Sequence, residues 1–308
     1  MEVPRRAGSI ARMLADPLPE TGTAHALAPL LMRLRLARFA QGVVCPRCGA
    51  ARTQRWGGFA GRQRYRCRGC RRTFSDLTGT PAAYTKKLEL WAPYAACMAE
   101  SLSVRRAARR TGIHRCTSFR WRHALLRGSA VARPERLAGW IELAWWHVPY
   151  SEKGKRPLAR GARTRGPAPG YRQRQPLVSI VAACDRHGQL VSFHSLASRP
   201  AAFELARALG PQIDGPTRVL AAHGRFGPAS AFAHGRRGQF RNVNTPHRHP
   251  DALLARLDSA RAYLHRLREW LKRFCGVATR YLHNYLAWHR ALDRAFRLGF
   301  HAILLRWP

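Results

Sequence analysis

The sequence predicts a multidomain α/β protein: an N-terminal zinc ribbon, a helix-turn-helix, and then a mixed sheet flanked by helices. Three observations predict this order. Two CxxC pairs lie between Cys45 and Cys70, a helical pattern runs from Thr85 to Leu126, and strand-like segments followed by helical ones come after Pro134. The expected divisions are a helical segment over residues 1–40, the ribbon over 41–80, the helix-turn-helix over 85–128 and the sheet domain over 137–300.

The composition favours a polyanionic partner. The chain has 55 basic and 16 acidic residues, a formal net charge of +39, and only five of the basic residues are lysines. A GC-rich genome accounts for much of the arginine excess over lysine, but it does not account for the shortage of acids. Arginine suits bidentate contacts to phosphate and guanine, so nucleic acid is the first candidate partner.

The N-terminal segment contains one helical pattern, HALAPLLMRLRLARF, from His25 to Phe39. Its leucines are spaced to form one apolar stripe along a helix. No apolar run reaches the roughly 18 residues of a membrane-spanning helix, and the first 40 residues lack the pattern of a cleaved signal. We therefore expect a cytoplasmic protein with no membrane partner.

The cysteine spacing predicts a structural zinc site. Cys45, Cys48, Cys67 and Cys70 form C-x2-C-x18-C-x2-C, which presents four thiolates for tetrahedral coordination. Disulfides are the alternative, and a cytoplasmic location disfavours them. The four other cysteines stand alone among apolar neighbours and are expected to be buried small hydrophobes. They are Cys97, Cys116, Cys184 and Cys275.

Arginines surround the cysteines. Nine arginines and no acid lie between Cys45 and Phe74. Some of them offset the charge of a four-thiolate zinc site. The rest, interleaved with Trp56, Phe59 and Tyr65, are expected to form a phosphate-binding face. The candidate DNA-binding residues here are Arg64, Arg66, Arg68, Arg71 and Arg72.

The stretch SVRRAARRTGIHRCTSFRWRHALL predicts two helices joined by a tight turn. Ser103 suits an N-cap, and Gly112 suits the left-handed conformation that ends a helix. A second helix from about His114 to Leu126 is expected to bury Ile113, Phe119 and Leu125. It would expose Ser118 and three candidate DNA-binding residues, Arg115, Arg120 and Arg122. An ordinary amphipathic helical pair is the alternative interpretation.

After Pro134, the segments GWIELAWWHV, PLVSIVAACD, QLVSFHSL and TRVLAA have strand composition, and helical stretches follow at Ala201–Leu209 and from Asp251 onwards. A basic loop, Lys153–Pro176, separates the first two strands. Its start supplies three further candidate DNA-binding residues, Lys153, Lys155 and Arg156.

The end of this region carries a family resemblance. The stretch WLKRFCGVATRYLHNYLAWHR, from Trp270 to Arg290, resembles the zinc-ribbon insertion-sequence transposases with a DDE-type, RNase H-like catalytic domain. The cysteine module with its trailing YRCRGCRRTFSDLTGT, the helical region, SEKGKR at Ser151–Arg156 and the strand ending in Asp185 agree in order. The resemblance covers roughly residues 40–296. It implies an RNase H-like sheet whose acidic residues hold two divalent metals for strand cleavage and transfer.

The sequence departs from that family at the catalytic acids. The expected first aspartate is replaced by Ala144, and the second, after a later strand, by His223. Glu142 lies two residues from Ala144 on the same strand face and is the remaining candidate catalytic residue; the alternative is that it pairs with an arginine. Asp185 and Glu269 are the other acids considered as substitute metal ligands. Mg²⁺ or Mn²⁺ is expected only if the chain is catalytic.

The predicted function is that of a bacterial insertion-sequence transposase acting on the nucleoid, with impaired catalysis. Its partner would be double-stranded DNA at the terminal repeats, with homo-oligomerisation left open. The alternative is a non-catalytic DNA-binding relic or a repressor derived from a transposase. A metal hydrolase built on His223, His234, His247 and His249 is disfavoured, because these histidines lack the i, i+4 spacing of helical metal ligands.

Overall fold

The computed structural model describes residues 35–36, 38–40, 42–59, 62–80, 82–130, 136–155, 157, 176–213, 219–222, 227–242 and 259–298. Contacts divide the chain into two compact units, and the second of them is Arg133–Arg290. The cysteine module and the helices that follow it belong to the first unit. A five-stranded sheet with its helices forms the second unit.

A small antiparallel sheet carries the cysteine module. Its strand order is β1-β2-β3, and Arg55 faces Tyr65 across the first pair while Tyr65 faces Phe74 across the second. Tyr65 and Phe74 are buried in the module's core together with Cys45 and Cys67. The strands are β1 (Thr53–Phe59), β2 (Arg62–Cys67) and β3 (Thr73–Ser75).

Three helices follow, and the predicted breaks between them are confirmed. The side chain of Ser103 accepts a hydrogen bond from the backbone N–H of Arg106 and caps the second helix. Gly112 ends that helix with φ of 63°, the left-handed conformation that favours glycine. The helices are α1 (Trp91–Ala99), α2 (Val104–Thr111) and α3 (Arg115–Ala130).

The second unit is built on a mixed five-stranded sheet of order β6-β5-β4-β7-β8. The central strand β4 is antiparallel to β5 on one side and parallel to β7 on the other. β5 and β6 are antiparallel, and β7 and β8 are parallel. The strands are β4 (Trp140–Pro149), β5 (Leu177–Asp185), β6 (Leu190–Ser195), β7 (Val219–Ala222) and β8 (Gln239–Asn242).

Helices flank this sheet. An apolar core joins strand residues such as Leu143 and Leu220 to Leu205 and Phe232 of two helices. The terminal stretch that carries the family resemblance packs through aromatic rings, with Trp270 and Trp288 at 4.9 Å between centroids. The helices are α4 (Ala202–Leu209), α5 (Gly227–Gly235), α6 (Ser259–Lys272) and α7 (Leu282–Leu298).

The prediction of a mixed α/β protein is confirmed in this coarse sense. Four of the five strands of the large sheet coincide with predicted strands, and α4 coincides with the predicted helix at Ala201–Leu209. The strand β8 and the helix α5 were not predicted. Among the described residues, no helix is long and apolar enough to cross a membrane.

Candidate metal centre and nucleic-acid interface

The two CxxC turns fold in the same way. The N–H of Cys45 donates to the carbonyl of Ala50 at 2.9 Å, and the N–H of Cys67 donates to the carbonyl of Arg72 at 3.0 Å. The residue after each second cysteine is left-handed: Gly49 has φ of 73° and Arg71 has φ of 57°. This backbone reversal brings both cysteines of a turn to one side.

The four sulfur atoms lie within 4.8 Å of one another. The Sγ atoms of Cys45 and Cys70 are 3.7 Å apart, and those of Cys48 and Cys67 are 3.6 Å apart. A disulfide has an S–S distance of about 2.05 Å, so these atoms are not bonded, and all eight cysteines are free. Tetrahedral zinc with Zn–S bonds of about 2.3 Å requires sulfurs about 3.8 Å apart. The donor set and its spacing therefore fit zinc.

The environment of the cysteines also bears on metal binding. Burial raises the pKa of the Cys45 thiol to about 11, so this thiol stays protonated at neutral pH without a metal. A bound Zn²⁺ deprotonates a coordinating thiol and takes up the thiolate charge. With zinc bound, the four cysteines would fill all four tetrahedral coordination positions. The site would then be structural, because it leaves no open position for a substrate or water.

The other cysteines follow the prediction in two cases of four. Cys97 and Cys184 are buried, as expected, whereas Cys116 and Cys275 are exposed. Cys116 lies at the start of α3 and Cys275 lies after α6, where the helix ends leave side chains open to solvent.

The ribbon sheet has one apolar and one basic face. On the apolar face Tyr65 stacks on Phe74 at 5.5 Å and meets the edge of Phe39 at 5.7 Å. The expectation that Tyr65 belongs to a phosphate-binding face is wrong, because its position in the strand points it into the core. Trp56 and Phe59 remain exposed, at 43% and 69%.

The opposite face carries arginines held by neighbours. The guanidinium of Arg66 lies over the Trp56 ring at 4.5 Å from its centroid. Arg64 donates to Thr73 Oγ1 at 3.2 Å, and Arg68 donates to Gln54 Oε1 at 3.1 Å. The remaining two candidates, Arg71 and Arg72, lie in the second cysteine turn and are exposed. Within the described part of the chain, no acid pairs with Arg64, Arg66 or Arg68.

On α3 the structure corrects the expected faces. Arg115 and Arg120 are exposed as predicted, and Ile113 is buried. Arg122 is wrong as a surface residue: it is fully buried and donates to the carbonyl of Leu102.

Ser118 and Phe119 of α3 have the opposite burial to the one predicted. Ser118 is buried and its hydroxyl donates to the Val104 carbonyl at 3.0 Å, while Phe119 is 39% exposed. The Tyr94 hydroxyl also bonds Ser118. A polar contact with Val104 and Tyr94 therefore sets which side of α3 faces inward, and the apolar periodicity alone did not reveal it.

The start of the basic loop is hydrogen-bonded to the terminal stretch Trp270–Arg290 of the same unit. Lys153 Nζ donates to the carbonyls of Cys275 and Gly276 at 3.1 and 2.9 Å, and Ser151 exchanges bonds of 2.9 Å with Thr279. Lys155 is exposed and lies 3.4 Å from Glu152. Arg156, the third candidate of this loop, lies outside the described residues.

In the large sheet, the register tests the positions expected to carry catalytic acids. Leu143 pairs with Ala222, the last residue of β7, so Ala144 is the next residue along the same pair of strands and position 223 is the next after β7. Ala144 therefore lies one residue beyond the paired segment of β4 and β7, on the strand to which the family resemblance assigns the first acid. Ala144 is buried and offers no ligand, and His223 lies outside the described residues.

The acids near these positions serve the backbone. The buried Glu142 accepts a hydrogen bond at 3.2 Å from the N–H of Ala260, in the first turn of α6. Asp185 accepts three backbone hydrogen bonds, from Ala138, His187 and Gln189, at 3.1, 2.9 and 2.9 Å.

The third acid, Glu269, is exposed and pairs with Lys272 at 2.7 Å. Among the described residues, the four cysteines are the only group of three or more potential ligands close enough to share an ion. The described part of this sheet therefore does not fit Mg²⁺ or Mn²⁺. Of the four histidines considered for a hydrolase, His234 is described, and it bonds the Ser230 carbonyl at 2.8 Å.

Comparison with known proteins identifies the module. Residues 31–73 match the family model of the transposase zinc-ribbon domain. The predicted zinc ribbon is thereby confirmed, and the match includes all four cysteines. It begins upstream of the first cysteine, in agreement with the packing of Phe39 on the ribbon core.

One curated relative is a protein of a transposable element. The chain is 32% identical over 136 residues to an uncharacterised protein in the transposable element ISH50 of Halobacterium salinarum. The matched region is 42% of this chain and 46% of the relative, so the chain spans less than half the length of the curated relative that it matches.

Proposed function

We propose that the chain is an insertion-sequence transposase-family protein that binds element-end DNA and has lost most of its capacity for strand cleavage. The observation that carries the proposal is the transposase zinc ribbon, with its four cysteines in tetrahedral spacing and its basic sheet face. A net charge of +39 supports a polyanionic partner.

The second unit supports a transposase assignment at the level of architecture. Its mixed five-stranded sheet flanked by helices supports an RNase H-like catalytic domain, and Leu143, next to the expected acid position Ala144, pairs with the last residue of β7. The helices α1 to α3 agree with a helix-turn-helix, in which α3 would present Arg115 and Arg120 to DNA.

The residues at the expected acid positions support impaired catalysis. Two divalent cations require several carboxylate oxygens, and one of the expected positions is Ala144 while the other is His223. Imidazole is a poor ligand for Mg²⁺. Glu142, the remaining candidate, is already an acceptor for α6. The alternative function, a non-catalytic relic or a repressor of related elements, is favoured by this observation.

The test is a strand-cleavage assay with purified protein, duplex DNA from the flanks of its own gene, and Mg²⁺ or Mn²⁺. We expect retarded but uncut DNA, with affinity falling by about 0.9 log unit per log unit of salt for each phosphate neutralised. Binding that does not change with salt would contradict the proposal.

The catalytic part of the proposal has its own control. Cleavage by the natural chain that is lost in Glu142→Ala would show a rearranged but working site. The double variant Ala144→Asp with His223→Asp restores the expected acids, and cleavage by this variant alone would support descent from an active transposase.

A further inference from the structure

We infer that the basic face of the ribbon sheet enters the major groove of duplex DNA, with Arg64 and Arg66 contacting base edges. This inference rests on the proposed function and specifies which surface binds and which groove it occupies. We define the arginine face as Gln54, Trp56, Phe59, Arg62, Arg64 and Arg66. Cross-strand pairing places these residues on one side, since Gln54 faces Arg66 and Phe59 faces Arg62.

The shape of the arginine face fits a groove. β1 and β2 form a two-stranded antiparallel ribbon, which is one of the two elements that the major groove of about 12 Å admits. The cysteine turns lie at one end of the hairpin, because Thr53 of β1 pairs with Cys67. A metal bound by the four cysteines would hold this end of the hairpin, and the turn between β1 and β2 lies at the other end.

The spacing along β2 fits duplex DNA as well. Arg62, Arg64 and Arg66 alternate with Gln63 and Tyr65, which point to the other face of the sheet, so the three arginines follow one another at about 6.8 Å. This is about twice the axial rise of 3.4 Å per nucleotide in one DNA strand. Successive arginines can therefore meet every second base step without bending the strand.

Arg64 and Arg66 are oriented by contacts within the ribbon before any partner binds. Arg66 rests on the Trp56 ring, and Arg64 is bonded to Thr73 on β3. A guanidinium has five N–H donors, and each contact leaves most of them available. An arginine oriented in this way loses less side-chain entropy on binding guanine O6 and N7.

Charge complementarity identifies the occupant. The sequence has no Asp or Glu between Glu20 and Asp76, so the arginine face has no acid of its own chain in sequence around it. Trp56 and Phe59 are exposed beside these arginines rather than buried, which leaves aromatic edges for base or sugar contacts. An acidic protein surface would not require this spacing of arginines along one strand.

The experiment uses the full chain and a duplex selected from a random pool by the natural protein. The selected duplex is treated with dimethyl sulfate, which marks guanine N7 in the major groove and adenine N3 in the minor groove. We expect interference at guanine N7. Arg64→Ala and Arg66→Ala should each lower the affinity about 5- to 100-fold and relax preference at one position.

Arg55→Ala is the matched control. Arg55 is an exposed arginine of the same hairpin that pairs with Tyr65, hence on the opposite side of the sheet. It should lower affinity about twofold, uniformly across sequences. All three variants should retain one zinc per chain, which shows that they fold.

Each result has a distinct meaning. Interference at adenine N3 alone, or equal losses in Arg55→Ala and the two test variants, would overturn major-groove entry by the arginine face while leaving DNA binding intact. Failure of the natural chain to select or bind any duplex would overturn the proposed function, and this inference with it.

Discussion

The zinc ribbon and the five-stranded sheet differ in the roles of their potential metal ligands. In the ribbon, all four ligand positions are cysteines and their sulfurs converge within 4.8 Å. In the sheet, the expected ligand positions are Ala144 and His223, and the neighbouring acids accept hydrogen bonds from the backbone. The ribbon therefore offers four ligands that could hold a metal ion, whereas the described residues of the sheet offer no comparable group.

The difference has a physical cause in how each region is stabilised. The ribbon core is small, with four buried residues at its centre, so it depends on a metal for folding. The sheet has an extensive apolar core that includes Leu143, Leu205 and Leu220. A core of this size is a source of stability that needs no metal. Under the proposed function, an alanine at position 144 would remove a buried charge rather than a structural support.

The largest effect should follow from removing a ribbon ligand. Cys67→Ser should unfold the ribbon, because loss of zinc removes a contribution on the order of 10 kcal/mol in modules of this kind. Zinc content measures the loss of the metal, and proteolysis within residues 42–80 measures the unfolding of the ribbon. Cys184→Ser is the control, since Cys184 is buried in the other unit and should leave zinc bound. Equal zinc loss in both variants would refute the cysteine site.

Asp185→Ala should produce the largest effect in the sheet. Three backbone N–H groups lose their acceptor, which should lower the free energy of unfolding by about 2 to 5 kcal/mol. Asp185→Asn should lose less stability than Asp185→Ala, because the amide oxygen still accepts hydrogen bonds from the backbone. Thermal unfolding of the second unit measures the change. A small effect of Asp185→Ala would leave this acid available for another role.

Glu142→Ala should have a smaller effect, about 1 to 2 kcal/mol, because one N–H in the first turn of α6 loses its acceptor. Glu142→Gln should be milder, since its amide oxygen can replace the carboxylate oxygen. Urea unfolding distinguishes the two variants. If both destabilise equally, the charge of Glu142 matters and the capping role is insufficient.

The smallest effect concerns pH. Burial lowers the pKa of His194, with the adjacent His283 adding to it, and burial also lowers that of His283. Both rings stack at 6.4 Å in the second unit. The unfolded state then binds more protons below about pH 6.5, so stability should fall as the pH decreases through that range. His194→Gln should flatten the dependence, measured as unfolding free energy between pH 7 and pH 5.

Local sequence rules predicted the elements with strong patterns. Cysteine spacing predicted the metal site, Ser103 and Gly112 predicted the ends of α2, and β-branched runs predicted β4 to β7. The strand β8 was missed because GQFRN is short and polar, and α5 was missed because it begins with Gly227 and Pro228, which usually indicate a turn.

Side-chain partners could not be predicted from periodicity. The burial of Arg122 depends on the Leu102 carbonyl twenty residues away, and the capping role of Glu142 depends on Ala260, 118 residues away. The departures at Ala144 and His223 were visible in the sequence only through the family resemblance. The β4–β7 register then showed that Ala144 directly follows the residue paired with the end of β7.

The most direct measurement of the contrast between the two regions is metal binding by the whole chain. Mass spectrometry of the native protein counts tightly bound zinc, and electron paramagnetic resonance of added Mn²⁺ detects a carboxylate site. The account predicts one zinc per chain, lost in Cys67→Ser, and no Mn²⁺ bound in the sheet. Tight Mn²⁺ binding that disappears in Glu142→Ala would contradict it.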